Sequence, residues 1–375
     1  MRIIVDICHP AQVHHFRPVL ESWQASGYEC VVTARAKDIT LKLLDGFGIS
    51  YTVLAPAGIG SIGYLREFLR REAAMFRLVR KFRPAVITGT SPNAARVAKL
   101  LKAKSVILCE DDAKYIPQFR WLAYPLASAI VMPDCLTNED YGIRHLTYPS
   151  YQKMFYLHPN RFTPDRNVIR ELDIDDNTPY ALIRLSSLQA YHDVGARGMS
   201  EDLIRRIIKL AGDQMQIFIS SEKPLPAEFE PFRMSIPLER VHHALAFAEF
   251  FLGDSQSMAV ESALLGTPAF KINTFAGIIS VIRDLQSYGL AFDYRPDQEN
   301  ELVEELQRLL AMEGRKDCFK DRRAKLLSEK IDPVPWYLTV IRKLLEGSSV
   351  GDVKRWSSEA LQSGRFAGVP DHAVR

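Results

Sequence analysis

Residues 253–270, "GDSQSMAVESALLGTPAF", contain the most informative local pattern of the chain. A turn of small polar residues leads into a short apolar helix, and Gly-Thr-Pro ends that helix before the chain becomes apolar again. Ser255 or Ser257 can cap the helix start, which leaves backbone amides and the positive end of the helix dipole for an anion. Glu261 lies four residues after Ser257 and shares its face of the helix. The spacing predicts a loop that binds a phosphate, with a carboxylate placed for the ribose hydroxyls of a nucleotide.

Short apolar runs alternate with helical patterns through most of the chain. The predicted strands are Arg2–Cys8, Glu29–Thr33, Ser50–Leu54, Ala85–Thr88, Ser105–Cys109, Ala129–Met132, Tyr180–Leu185, Gln216–Ser220, Phe250–Leu252, Ala269–Ile272 and Ala291–Phe292. Repeated strand–helix units favour parallel sheets with helices on both faces. We therefore predict the α/β class, with two Rossmann-like, doubly wound parallel-sheet domains that face a cleft.

The rhythm breaks at residues 148–176, which are rich in Pro, aromatic and polar residues, as a linker would be. The predicted domains are residues 1–155 and 156–331. A last helix, 333–346, is a candidate to pack back on the first domain. Residues 347–375 are rich in Ser and Gly with little periodicity, and we expect a mobile tail there.

Composition narrows the class of protein further. With 375 residues, 47% hydrophobic and 25% charged, the chain is typical of soluble globular proteins with two domains. The net charge of +3 is too small to indicate a nucleic-acid binder. The five cysteines have no CxxC spacing, which favours reduced thiols and a cytoplasmic protein without zinc. No apolar run reaches the roughly 18 residues of a membrane span.

In open α/β sheets, ligands bind beyond the carboxyl ends of the strands. The loops at those ends are polar and rich in hydroxyl groups. They are His9–Phe16, Thr88–Asn93, Glu110–Asp112, Arg184–Asp193, Ser220–Pro224, Glu239–His243 and Gly253–Ser257. These loops are the predicted lining of the cleft.

Four stretches carry a resemblance to a known family. They are "DICHPAQVHHFRPVL" (6–20), "YLHPNRFTPD" (156–165), "SSLQAYHDVGARG" (186–198) and the opening stretch. The last is similar to the signature with which GT-B glycosyltransferases and UDP-GlcNAc 2-epimerases hold a nucleotide sugar. Together, over residues 1–347, the four resemble the DUF354 family of GT-B-like proteins.

The resemblance implies a nucleotide-sugar site in the second domain. Carried over by position, its residues are Arg184, Ser186, Ser187, His192, Ser220, His243, Asp254, Ser255, Ser257 and Glu261. Arg184 would offset the charge of a diphosphate. Glu261 would accept hydrogen bonds from the ribose.

The resemblance also separates two reactions. The 2-epimerases have a Gly-Asp-Thr turn after the fourth strand, whereas this chain has Gly89-Thr90-Ser91 and no carboxylate there. Several GT-B transferases use a histidine after the first strand as base, and His14 fits that position if Asp6 or Asp111 orients it. We therefore take His14, Asp111 and Asp112 as candidate catalytic residues. Neither a metal nor a further cofactor is expected.

The predicted function is transfer of a sugar, a hexosyl or N-acetylhexosaminyl group, from a nucleotide sugar to a glycan or lipid-linked acceptor. A UDP-sugar is the favoured donor, and synthesis of cell-surface polysaccharide is the expected setting. Two alternatives stay open. One is a sugar-nucleotide epimerase or hydrolase, and the other is a GT-B-like protein that binds its ligand without catalysis.

A basic helix is predicted over Ile62–Arg83, and it could hold the protein against the inner face of an anionic membrane. The alternative is a surface helix with ordinary charges. The preceding Gly58-x-Gly60-x-x-Gly63 matches a dinucleotide fingerprint. Yet it follows the third strand and lacks the acid about 20 residues on, so we expect a mobile loop there rather than NAD binding.

Overall fold

The computed structural model describes residues 1–36, 39–186, 198–212 and 215–366. Two compact units divide the chain. The first contains Met1–Arg161 together with the chain from Lys330 onward, and the second is Phe162–Glu329. The second unit is therefore one uninterrupted segment, whereas the first is assembled from two segments on either side of it.

The first unit is built on a sheet of seven parallel strands. Its strands are β1 (Arg2–Ile7), β2 (Glu29–Ala34), β3 (Thr52–Val53), β4 (Val86–Gly89), β5 (Lys104–Leu108), β6 (Ala129–Pro133) and β7 (His145–Tyr148). Their order across the sheet is β3-β2-β1-β4-β5-β6-β7. The chain thus moves outward first on one side of β1 and then on the other, so the topology reverses between β1 and β4.

Helices connect these strands and complete the unit. They are α1 (Pro10–Ala25), α2 (Thr40–Gly46), α3 (Gly60–Phe82), α4 (Pro92–Leu100), α5 (Pro117–Leu122), α6 (Met154–Leu157), and, after the second unit, α14 (Pro333–Leu345) and α15 (Val350–Gln362). A short 3₁₀ turn, Gly142–Arg144, precedes β7.

The second unit has a sheet of five parallel strands in the order β12-β11-β10-β8-β9. Its strands are β8 (Tyr180–Leu185), β9 (Gln216–Ser221), β10 (Phe251–Gly253), β11 (Ala269–Ile272) and β12 (Ala291–Tyr294). Its helices are α7 (Val168–Glu171), α8 (Glu201–Ala211), α9 (Val241–Phe247), α10 (Gln256–Leu265), α11 (Ser280–Ser287), α12 (Glu299–Ala311) and α13 (Arg315–Glu329). The reversal of strand order lies between β8 and β10.

Continuous apolar runs form the central strands because both faces of each sheet are covered by helices. β6, for example, is buried at all five residues. The helices show the complementary pattern. α8 begins at Ser200, whose hydroxyl accepts from the Leu203 amide at 3.0 Å, and buries one stripe that includes Ile204 and Ile207. The prediction of two parallel-sheet α/β domains is confirmed.

The described part of the tail contains a helix with a buried face, α15, where a mobile tail was expected. Ser349 caps α15 by accepting from the Asp352 amide at 3.1 Å, and the buried Val353 and Ala360 pack on the first unit. The indole of Trp336 donates to Ser357 at 2.8 Å. The sequence signal is weak because small residues form the buried face. Residues 367–375 lie outside the described residues.

α14 belongs to the first unit and fills its core. Trp336 and Tyr337 are fully buried, and the hydroxyl groups of Tyr337 and Thr88 on β4 form a hydrogen bond of 2.5 Å. The Asp332 carboxylate caps the helix by accepting from the Val334 amide at 3.0 Å. The first sheet therefore depends on a segment that lies almost 250 residues later in the chain.

α3 buries a different face from the one its apolar residues predict. Its buried residues are Glu67, Arg71, Met75 and Val79, a stripe with helical spacing. Leu65 and Leu69, two of the large apolar residues of the helix, are 60% and 57% exposed. The charges of Arg71 and Glu67 can be buried because each pairs with an oppositely charged side chain, Asp6 on β1 and Arg35 after β2.

The glycine-rich stretch leads from Gly58 directly into α3, which contains Gly60 and Gly63, so helix stands where a mobile loop was expected. The amide of Gly58 donates to the Glu67 carboxylate at 2.9 Å. A Cβ on Gly58 would lie 2.2 Å from the Gly63 carbonyl oxygen, which explains why no larger side chain stands there.

Candidate active site

The carboxyl ends of β8 and β10 meet where the strand order of the second sheet reverses. In open α/β sheets such a reversal opens a crevice between the two loops that leave in opposite directions. The loop after β8 begins at Ser186, and the loop after β10 contains Asp254 and Ser255. β9 lies on the other side of β8 and brings Ser220 to the same edge.

Arg184 is the cation of this crevice. Its guanidinium donates to the Ser220 hydroxyl at 2.6 Å and to the Glu222 carboxylate at 2.5 Å. Its buried Nε has no hydrogen-bond partner among the described residues. The side chain is 15% exposed, and Ser220 and Glu222 occupy two of its five N–H groups, so further donors of a fixed guanidinium remain for a ligand.

Asp254 holds the two loops together. Its Oδ1 accepts from both the amide and the hydroxyl of Ser186, each at 2.7 Å. Burial raises the pKa of the Asp254 carboxyl, although these hydrogen bonds oppose the shift. Gly253 permits the close approach, because a Cβ there would lie 2.9 Å from the Arg184 carbonyl oxygen. Asp254 is therefore a positioning residue, and its Oδ1 is already occupied.

The N-terminus of α10 lies at this edge of the sheet, and its first-turn amides are the groups available to an anion. Ser255, and not Ser257, is the cap, accepting from the Met258 amide at 3.4 Å. The amides of Gln256 and Ser257, in the same first turn, have no intrahelical acceptor by helix geometry. Two backbone donors, the positive helix end and Arg184 together form an arrangement suited to a phosphate.

Glu261 is buried, at 5% exposure, and not solvated. Its Oε2 lies 3.4 Å from Nε2 of His242, which is also buried. Sequence reasoning singled out the neighbouring His243 and missed His242. The only signal for the pair was the dipeptide His242-His243, because the partner is 19 residues away in the chain.

His243 has a different environment from the other candidates. Its Nδ1 accepts from the Asp165 amide at 2.9 Å, and its ring packs on Phe162 with centroids 4.7 Å apart. Burial and then the charge of Arg240 lower the pKa of His243. Its described contacts join it to the start of this unit rather than to Arg184 or Asp254. Two further candidates, Ser187 and His192, lie outside the described residues.

In the first unit, His14 lies in the second turn of α1, beyond the carboxyl end of β1. Its half-buried ring contacts Phe47 and Tyr156, with centroids 5.4 Å and 5.3 Å away. Asp6 is not placed to orient it, since its carboxylate accepts from Arg71 at 2.8 Å and from Thr33 at 2.7 Å. Asp111 is the remaining candidate for that role.

The three acids after β5 have distinct surroundings. Glu110 is a structural residue, because it pairs with Lys153 and accepts from the Gln152 amide at 2.7 Å. Asp111 is exposed at the strand end, whereas Asp112 is 8% exposed. Of the two candidate acids, only Asp111 presents its side chain to solvent.

The loop after β4 occupies the reversal point of the first sheet. Gly89 has φ of 144°, and a Cβ there would lie 2.3 Å from the Asp6 carbonyl oxygen. Ser91 is buried and caps α4 by accepting from the Ala94 amide at 3.5 Å. The loop is thus pressed against β1 and offers hydroxyl and backbone groups but no acid.

Comparisons with solved structures agree with this architecture. A putative UDP-N-acetylglucosamine 2-epimerase from Listeria monocytogenes has a TM-score of 0.68 at 12% identity, covering 93% of this chain and 97% of its own. The UDP-GlcNAc 2-epimerase from Neisseria meningitidis, bound to UDP-GlcNAc, has a TM-score of 0.65 at 12% identity, covering 97% of this chain and 100% of its own. Spinosyn rhamnosyltransferase SpnG, complexed with spinosyn aglycone, has a TM-score of 0.61 at 14% identity, covering 92% of this chain and 100% of its own. At these identities the likeness shows the fold, which GT-B glycosyltransferases and 2-epimerases share.

No curated protein matches the sequence. One family profile does, over residues 1–328, and its description is "Protein of unknown function (DUF354)". That match covers most of the chain, and the chain therefore belongs to the DUF354 family.

Proposed function

We propose that the protein is a glycosyltransferase that moves a hexosyl or N-acetylhexosaminyl group from a nucleotide sugar to an acceptor hydroxyl. The observation that carries the proposal is the crevice at the β8–β10 reversal. There Arg184 and the start of α10 face the same edge, in a chain whose fold is similar to that of a putative UDP-N-acetylglucosamine 2-epimerase and of a rhamnosyltransferase. A UDP-sugar is the favoured donor because one structural neighbour is described as bound to UDP-GlcNAc.

Each residue then has a role in the proposed reaction. Arg184 and the first-turn amides of α10 would stabilise the diphosphate as negative charge grows on the leaving nucleotide. Glu261 would accept from the ribose hydroxyls. His14 would remove the proton of the acceptor hydroxyl, with Asp111 or Asp112 supporting the imidazolium. That the reaction needs no metal stays a prediction.

Transfer is favoured over epimerisation by the loop after β4. Epimerisation at C2 of the sugar requires a base that removes a carbon-bound proton, and the Gly89–Ser91 loop contains no carboxylate. The competing reactions, epimerisation or hydrolysis, convert the donor without any acceptor. A protein that only binds its ligand would convert nothing.

Donor binding tests the second unit. Titration calorimetry with UDP-, GDP-, TDP- and CMP-sugars should identify a donor, and Glu261→Gln should weaken its binding about tenfold, because the carboxylate is the proposed ribose acceptor. Glu304→Gln, on the exposed face of α12, is the matched control. Unchanged affinity in Glu261→Gln would remove the ribose assignment.

Turnover with that donor and a panel of glycan and lipid-linked acceptors tests His14 in the same series. His14→Gln should abolish transfer and leave donor affinity unchanged. The control is His9→Asn, which keeps an acceptor at the N-cap of α1. Full transfer by His14→Gln would exclude it as the base, and donor conversion without acceptor would favour the epimerase or hydrolase.

The acceptor side of the proposal includes a membrane surface. On α3 and the residue before it, Ile59, Ile62, Leu65 and Leu69 are 94%, 85%, 60% and 57% exposed. Exposed arginines share that face of the helix, at positions 66, 70, 77 and 80. These four arginines form no ion pair with the described residues, and apolar side chains beside such cations suit an anionic bilayer. We therefore propose that the protein acts at the inner face of the membrane, on a glycan or lipid-linked acceptor in polysaccharide synthesis. Within the described residues, no helix has the length and apolar character to cross a bilayer.

Vesicle binding tests this surface. The double variant Ile62→Glu/Leu65→Glu should reduce binding to vesicles of phosphatidylglycerol about tenfold or more, because two apolar side chains no longer enter the interface. Leu100→Glu, at a 68% exposed leucine elsewhere in the unit, is the control. Equal binding by both variants, or equal binding to neutral phosphatidylcholine, would contradict the assignment.

A further inference from the structure

The second unit contains a cavity of about 400 Å³ at the edge of its sheet opposite the candidate active site. Its lining includes Thr178 and Pro179 before β8, Glu249 before β10 and Pro268 before β11. These are the amino ends of the strands, whereas Arg184 and Asp254 lie at their carboxyl ends. A six-residue strand is roughly 20 Å long, so the two places are separate.

The cavity is strongly cationic. Its basic side chains are Arg166, Arg315, Lys316, Lys320 and Arg323. Only two carboxylates line it, Asp176 and Glu249, and Asp176 lies 3.6 Å from Arg170, which is outside the lining. The charge of the cavity wall is therefore far from balanced by its own acids.

Two of the cations share one acid. The buried Glu249 carboxylate accepts from Arg315 at 2.7 Å and from Lys316 at 2.6 Å. Both cations stand in the first turn of α13, at the positive end of its dipole, where a basic residue is unfavourable. The two cations and the one carboxylate have a net charge of +1, and the positive end of the α13 dipole lies beside them.

The remaining cations follow along the same helix. Lys316, Lys320 and Arg323 are spaced i, i+4 and i+7, so they share one face of α13, where like charges repel. Lys320 forms no ion pair with the described residues. Arg323 donates through Nε to the Leu264 carbonyl at 2.8 Å, and burial lowers its pKa with no carboxylate to oppose the shift. These repulsions cost stability, and an anion in the cavity would remove them.

We propose that this cavity is a second binding site for a small organic diphosphate. Arg166, Lys320 and Arg323 have no carboxylate partner among the described residues, and three positive charges match the charge of about −3 that a diphosphate monoester carries at neutral pH. The volume lies in the range of small-molecule sites. Phe247, a half-buried residue of the lining with the Arg166 guanidinium 5.6 Å from its ring centroid, gives an organic group apolar surface beside a cation.

The site does not depend on the proposed transferase reaction, and pyrophosphate is the first probe of it. Titration calorimetry of the full chain with inorganic pyrophosphate should give a salt-dependent binding isotherm. Lys320→Glu should weaken binding roughly tenfold or more, because it replaces a lining cation with an anion. Lys325→Glu lies on the opposite face of α13 and is the matched control. Absence of pyrophosphate binding by the wild type, or equal weakening by both variants, would overturn the proposal.

A second titration separates this site from the candidate active site. UDP should occupy two sites in the wild type, and Lys320→Glu should lose one of them while Glu261→Gln weakens the other. If only Lys320→Glu affects a single UDP site, the cavity is supported and the active-site assignment fails. If only Glu261→Gln affects UDP and neither variant affects pyrophosphate, the cavity proposal fails. Pyrophosphate binding without UDP binding at the cavity would restrict the ligand to inorganic anions and overturn the organic part of the proposal.

Discussion

At the scale of a single residue, His15 shows how burial fixes a charge state. It neighbours the candidate base His14 but is 3% exposed, and its ring stacks on Phe155 with centroids 4.0 Å apart. Burial, with a smaller contribution from the charge of Lys153, lowers the pKa of His15 to about 3. The imidazole is therefore neutral in the folded protein, and its Nε2 has no hydrogen-bond partner among the described residues.

A pH dependence of stability follows. The unfolded chain takes up a proton on His15 near pH 6.5, whereas the folded protein does not until about pH 3. Stability is therefore lost as pH falls below 6.5, by about 1.4 kcal/mol per pH unit from this group. His15→Phe keeps the stacking and should remove this loss. Urea unfolding of both proteins at pH 7.5 and 5.5 measures it, and parallel changes in the two would show that His15 is not its source.

The candidate site residues differ in how far the sequence predicts them. Ser255 caps α10 and Gly266 ends it with φ of 85°, and both roles follow from local residue order, although the sequence also allowed Ser257 as the cap. The contact of Glu261 with His242 joins two helices and has no local signature. Asp254 was expected to line the phosphate, yet Ser186 takes its carboxylate, because the loops of β8 and β10 meet only in the folded sheet.

At the scale of the element, α3 shows why an amphipathic pattern can mislead. Its apolar residues outnumber the buried positions, and the buried stripe contains Glu67 and Arg71. Arg35 pairs with Glu67 at 2.5 Å, and Arg71 with Asp6 at 2.8 Å. Those partners come from β1 and the end of β2, more than 30 residues earlier in the chain. Periodicity within the helix contains no information about them.

Removal of one member of the Arg71–Asp6 pair should destabilise the protein more than removal of both, because it leaves a buried charge without a partner. Arg71→Met leaves the fully buried Asp6 carboxylate without its cation and should cost about 3–5 kcal/mol of unfolding free energy. Asp6→Asn/Arg71→Met removes both charges and should recover most of that loss. Guanidinium unfolding compares the three proteins. A double variant no more stable than Arg71→Met would show that shape, and not charge, holds α3 in place.

At the scale of the whole molecule, the C-terminal segment is part of the first unit. Eleven of the twelve strands in the described residues could be predicted from apolar runs, since that pattern is local, but β7 was missed and the order of strands across the sheets was not predicted. α15 could not be predicted, because its buried residues are small and its partners, such as Trp336, are on another helix. The buried face of α15 includes Ser357 and Ala360, so a composition rich in small residues does not reveal that this face is buried.

Removal of α15 should therefore destabilise the first unit. A chain that ends at Ser348 loses the Trp336–Ser357 hydrogen bond and exposes the indole, at a cost of about 3 kcal/mol. A chain that ends at Phe366 keeps every described contact and is the control. Thermal unfolding followed by tryptophan fluorescence measures the difference, and equal midpoints would show that α15 contributes nothing to the unit.

The insertion of the second unit into the first also sets an order of events during synthesis. Residues 162–329 are contiguous, so the second unit has its whole sequence outside the ribosome before α14 is made. The first sheet emerges earlier, but Trp336 and Tyr337, which fill its core, emerge only after the whole second unit. The nascent first unit must wait with an exposed apolar face until α14 has been translated. Chaperone binding to stalled ribosomes should accordingly persist past residue 329 and end only once α14 has left the exit tunnel.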